Sequence, residues 1–110
     1  MKHTKNMIIR ETTESRELAL FIENDGTLYR RHITPVINNL KKRYNAGTYD
    51  KSKAIDLYYY IATAGAREYC RQFANVEDAP QIFDVTARYT AAADLESFFY
   101  DEVTWKEVEA

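Results

Sequence analysis

Residues able to do chemistry are sparse in this chain, and the densest group is "RRHITPVINNLKKRY", residues 30 to 44. Arg30, Arg31 and His32 precede Pro35, and Lys41, Lys42 and Arg43 follow it. Such cations could neutralise phosphates, with His32 helping when protonated, and binding of that kind weakens steeply with salt. Helical geometry argues against a single footprint. Lys42 falls nearly opposite the apolar Val36, Ile37, Leu40 and Tyr44, with Lys41 and Arg43 on different flanks, so three sequence neighbours spread over about 200° of the cylinder. They also occupy the last turns before Gly47, where positive charge suits the helix dipole. Arg30 and Arg31 belong to the other end of that helix. The spacing predicts a solvated helix with two separate basic groups. Nucleic-acid contact through Arg30, Arg31, Lys41, Lys42 and Arg43 is the alternative.

Other candidate chemistry is thinner. The tyrosines of "DLYYYI" could stack on bases. Tyr58 and Tyr59, however, belong to an apolar stripe and only Tyr60 diverges, which predicts core filling with hydroxyls reaching the surface or a buried partner. His3 and His32 are far apart and Cys70 has no partner at a ligand spacing, so no metal site is expected. Cys70 reads as a small buried hydrophobe. "ENDG" lacks the alternating acidic ligands and distal Glu of a calcium loop and reads as a helix stop. No G-x-S-x-G, Walker loop or dinucleotide fingerprint occurs, and three glycines could not make one. The expectation is a protein with no catalytic, cofactor-binding or metal residues, not an enzyme. A carboxylate pair assembled by folding is not legible in sequence.

The strongest binding feature is near the end. In "DLESFFYDEVTWKEVEA", Ala91, Phe98 and Trp105 share a helix face turned away from the main apolar stripe. Phe98 and Trp105 are seven residues apart, about two helical turns. Asp94, Glu96, Asp101, Glu102, Glu107 and Glu109 surround them. Large aromatics outside a core are typical anchors of protein interfaces. Phe98, Trp105, Asp101 and Glu102 are therefore the expected partner-binding residues. The alternative is that the N-terminal arm covers them.

These features need elements to hold them. The chain has 110 residues, enough for one core, so a single helical domain over 1–110 is expected. It is 45% hydrophobic, with nine Tyr and five Phe but three Gly and two Pro, which predicts long regular elements with short connections. The net charge of −2 is unlike a typical basic nucleic-acid domain and unlike a DNA mimic. One cysteine fits a reducing cytoplasm. The start is not a secretory signal, and no apolar run approaches the roughly 20 residues that span a bilayer. A cytoplasmic protein without membrane contact is expected.

Residues 1–12 read as a loose arm or one short strand. "TESRELALFIENDG" reads as a helix capped by Thr13 or Ser15 and ended at Gly26, or else as the first half of a hairpin with "TLYRRHI". A second helix is expected from a Thr34 cap, with Pro35 in its first turn, to Gly47. A third should run from an Asp50 cap to about Phe73. Ile55, Tyr58, Tyr59, Ala62, Ala66, Tyr69, Cys70 and Phe73 line one side, with Leu57, Tyr60, Ile61 and Ala64 on the other. That makes it the central element, its first half sandwiched, with small Ala62, Gly65 and Ala66 admitting a close neighbour. A last helix from an Asp84 cap to about Val103 should bury Val85, Tyr89, Ala92, Phe99 and Val103. Glu96 falls in that stripe and reads as a helix wobble or a carboxylate reaching a core tyrosine. The fold class is all-α, a small bundle of about four helices, with an α+β fold carrying an N-terminal hairpin as the alternative.

Over residues 16 to 73 the chain resembles a family of short uncharacterised proteins of bacteriophages and other mobile elements. The matching features are "L-x-L-F-I-x-N-D-G-x-L-Y", "N-L-K-K" followed by "A-G-T-Y-D-x-x-K-A", and "A-x-x-Y-x-x-x-F". The resemblance implies a bacterial host cytoplasm and transfers no catalytic or binding residue. By association it suggests an accessory role: binding a host, defence or phage protein, with a homo-oligomer as a special case.

Overall fold

Asp25 parts the first two helices by one residue. The computed structural model describes residues 14–76 and 78–109, with side chains up to Thr104; the arm over 1–12 and Thr13 lie outside these. Helix α1 covers 14–24. Its buried Ser15, Leu18, Ala19 and Ile22 recur at helical spacing. Ser15 is thus not a cap. It faces inward, and its hydroxyl has no hydrogen-bond partner. Asp25 is extended, and its carboxylate accepts the Leu28 N–H at 2.9 Å.

The next helix starts at Gly26 rather than at Thr34. Gly26–Leu28, a π-helical turn at Tyr29–Ile33 and Thr34–Asn45 run on without a break, forming α2 over 26–45. Thr34 is itself helical, with φ −57° and ψ −47°, and donates its N–H to the Tyr29 carbonyl. The wide π turn explains how Pro35 sits inside a helix. Proline has no N–H, and its ring crowds the carbonyl four residues back; one extra residue in the preceding turn relieves both. The hairpin alternative fails here, because residues 16–33 are helical apart from Asp25 and no strand occurs among the described residues. Ile33, Ile37 and Leu40 are buried, and Gly47, at φ 75°, ends α2 in the left-handed conformation glycine favours.

Helix α3 spans Lys51–Phe73, with the Asp50 carboxylate accepting the Ser52 N–H at 2.8 Å. Ala54, Tyr58, Ile61, Ala62, Gly65, Ala66 and Cys70 are buried. The expected second apolar side is only partly covered: Leu57 and Ala64 are half-buried, and Tyr60 is 74% exposed. Phe73, expected on the main stripe, is also exposed. A Cβ on Gly65 would lie 2.4 Å from Ile22 Cγ1, so the missing side chain is what lets α1 rest on α3.

After a 3-10 turn at Ala79–Gln81, Asp84 caps α4, Val85–Glu109, by accepting the Ala87 N–H at 2.9 Å. The inward face of α4 begins one notch later than expected. Val85 and Tyr89 are exposed, and Ala87, Ala91, Ala92, Leu95, Phe99 and Val103 are buried. Phe83, in the connection, takes the core place assigned to Val85 and meets Tyr69 edge to face at 5.3 Å. Tyr58 stacks on Phe99 at 6.0 Å, joining α3 to α4. Farther along, Tyr59 stacks on Tyr89 at 4.0 Å, and the buried Arg88 guanidinium lies 5.4 Å over Tyr59 and donates to Thr63 Oγ1 at 3.2 Å. Phe83 and Phe99, fully buried, each contribute about 1.5–3 kcal/mol. Helix α3 packs most extensively on α4 and receives α1 at Gly65, but α2 packs more on α4 than on α3, so the centre expected of α3 alone is shared by α3 and α4.

Candidate interaction surface on the last helix

The cap at Asp84 and the buried face of α4 fix which of its residues look outward. Phe98 is 60% exposed. Its ring rests edge-on against the buried Phe99 at 4.9 Å, so the core holds it in place. Asp94, Asp101 and Glu102 are exposed at four before, three after and four after Phe98, and so flank it on the same face. Helix α1 adds Glu23, whose carboxyl is pushed above the ordinary 4.5 by burial first and by the charge of Asp94 second. The Tyr29 hydroxyl reaches Glu102 at 3.3 Å, and its ionisation is pushed up by burial and then by that carboxylate. Among the described residues Glu23, Asp94 and Asp101 have no cationic partner. An apolar anchor in an unneutralised acidic surround is suited to a partner bearing apolar and basic groups.

Two expectations for this face are corrected. Ala91 is buried against the core, because the inward stripe is shifted toward it. Glu96 is only 4% exposed and does not belong to the acidic surround. Its Oε2 accepts the Tyr49 hydroxyl at 2.8 Å, the tyrosine contact anticipated for a carboxylate in the stripe. Which tyrosine was not legible, since Tyr49 comes from the short connection after α2. Burial, and then the hydrogen bond to Glu96, push the Tyr49 phenol well above its usual range. The Trp105 side chain, with Glu107 and Glu109, lies outside the described side chains.

The basic residues stay in two groups. Arg30 and Arg31 are exposed on the π turn, Lys42 is exposed in the last turns of α2, and Lys41 and Arg43 are half-buried. A polar cleft of about 370 Å³ brings Arg71 of α3 toward Arg31 and His32, but Asp25 and Glu68 line it too. Glu68 accepts Arg71 Nε at 3.2 Å, and hydrogen bonds from Arg71 and then Gln72 hold its carboxyl below the ordinary range. The added cation thus arrives with its own carboxylate. Lys41–Arg43 sit ten to thirteen residues farther along α2, roughly 15–20 Å at helical rise.

No group of three or more His, Cys, Asp or Glu suited to a metal occurs among the described residues, and no helix there is long and apolar enough to cross a membrane. Comparison with family models, with curated proteins and with solved structures gives no match.

Proposed function

We propose that this chain is a small accessory protein of bacteriophage or mobile-element type that acts in the bacterial cytoplasm by docking on a host or phage protein. The observation that carries the reading is Phe98, exposed on α4 and flanked by carboxylates with no cationic partner among the described residues. Phe98 and Trp105 are the anchors in this reading, and Asp101 and Glu102 the charged surround. Modulation of a host or defence protein follows from the phage-type resemblance, and self-association is a special case of the same contact. The test is affinity capture with the intact protein beside Phe98→Ala/Trp105→Ala, together with the solution mass of both. Loss of a captured protein, or of an oligomer, in the double variant supports the reading. Unchanged captures and unchanged mass remove it.

The competing reading, phosphate contact by Arg30, Arg31, Lys41, Lys42 and Arg43, predicts a gel shift that is steepest at low salt. The carboxylates beside Arg31 argue against it. We expect no shift at about micromolar protein, well above the concentrations at which specific binders saturate.

A further inference from the structure

We propose that the groove between the α2–α3 connection and α4 binds an organic cation, an ammonium or guanidinium head group, on Glu96 beside the edge-to-face pair of Tyr49 and Tyr100. The groove holds about 510 Å³ and is lined by Tyr49, Lys51, Glu96, Ser97 and Tyr100. That is within the range of small-ligand sites. It lies on a different side of α4 from Phe98, since Glu96 and Tyr100 are each two residues, about 200°, from it.

The chemistry follows from three observations. First, a charged side chain at the floor is almost wholly buried: Glu96 is 4% exposed. Its Oε2 is satisfied by Tyr49, while its Oε1 accepts no hydrogen bond among the described residues and faces Lys51 Nζ in a loose ion pair at 4.0 Å. That distance is beyond hydrogen-bonding range. A desolvated carboxylate with one oxygen held only by a loose ion pair to an exposed lysine favours a closer donor that carries positive charge. Second, the walls are aromatic and braced. Tyr49 and Tyr100 meet at 5.8 Å and 78°, and Tyr44 supports Tyr49 at 5.9 Å. Aromatic rings set at an angle beside a carboxylate attract ammonium and guanidinium groups through their negative faces. Third, the buried Tyr58 hydroxyl has no partner. Its ionisation is disfavoured by burial and then by Tyr49 and Glu96, so it stays a neutral hydroxyl and offers the carboxylate no competing positive charge. An anion would be repelled by Glu96, and an apolar ligand would strand it.

Lys51 is exposed on a flexible stem and acts as a weak internal competitor. The cation could be a Lys or Arg side chain of a partner or a free amine or guanidine; the recognising chemistry is the same. The two sources are separated by titrating the ¹⁵N-labelled full chain with butylammonium and butylguanidinium, and with end-blocked Gly-Lys-Gly and Gly-Arg-Gly. Saturable amide shifts at Tyr49, Ser97 and Tyr100 are expected from at least one head group. Tighter binding of a peptide points to a protein partner, and tighter binding of the free cation points to a small ligand. Glu96→Gln should weaken binding about tenfold through loss of a charge-assisted contact. Tyr100→Ala should weaken it severalfold and Lys51→Met should tighten it. The proposal is overturned if none of the four probes gives saturable shifts there, or if Tyr100→Ala and Glu96→Gln bind as the wild type. Should Glu96→Gln fail to fold, the exposed Tyr100 and Lys51 variants carry the decision.

Discussion

Glu96 is the residue where sequence and structure agree most closely and still leave something out. A carboxylate placed by angle inside an apolar stripe needs a donor, and a tyrosine was the natural candidate. The identity of that tyrosine depends on how a five-residue connection folds back, which no helical periodicity encodes. Tyr49→Phe leaves the buried carboxylate without its 2.8 Å donor. We expect a loss of about 1–3 kcal/mol in urea unfolding, the usual cost of an unsatisfied buried acceptor. Glu23 acts in the opposite sense. Its raised pKa means that the folded state holds the proton more tightly than the unfolded chain does. The stabilisation from that proton is complete below the ordinary value of 4.5 and is lost as pH rises through the raised value. Glu23→Gln should therefore stabilise the protein at neutral pH, by under about 1 kcal/mol because the site is partly solvated, and the gain should vanish in acid. Cys70 matches its sequence reading as a buried hydrophobe. Burial, with Asp78 second, pushes its thiol up, so an aromatic disulfide reagent should label it only on unfolding.

At the scale of the element, the ends of α3 were legible because its signals are local: Asp50 caps it, and Asn75, at φ 57°, takes the left-handed position just beyond it. The start of α2 was not. Thr34-Pro35 is a strong helix-start signal, yet the chain was already helical from Gly26, and a π turn absorbed the proline. That outcome depends on Leu28 and Ile33 finding the core, a tertiary matter. The first turn of α4 differs for a related reason: Phe83, before the Asp84 cap, is buried against Tyr69, while Val85 is exposed. The small residues of α3 do admit a close neighbour, and Gly65 is the clearest case. A Gly65→Ala methyl would meet Ile22 Cγ1 at 2.4 Å and Cδ1 at 2.6 Å. We expect about 1–3 kcal/mol of destabilisation from the overpacking. Thermal unfolding of Gly65→Ala/Ile22→Ala should then show a loss smaller than the sum of the two single losses.

For the whole molecule, helical class and approximate helix number followed from composition and breakers, whereas the relation between surfaces did not. Sequence could not show that Glu23 of α1 comes to Asp94 of α4, or that Arg71 reaches Arg31 together with Glu68. Both relations bear on function. The first extends the acidic surround of Phe98, and the second keeps the basic residues from forming one patch. The Cα trace measures 47 × 34 × 18 Å, a flat body in which one thin layer of core leaves broad faces on solvent. Phe98 is 60% exposed, so its removal should cost little stability. The most direct measurement is therefore quantitative affinity capture from a bacterial lysate with the wild type and with Phe98→Ala/Trp105→Ala, after both are shown to unfold at the same urea concentration. At least one captured protein should be lost by the variant by tenfold or more, corresponding to about 1.4 kcal/mol or more at hot-spot aromatics. Equal capture of every protein by two equally stable baits would contradict it.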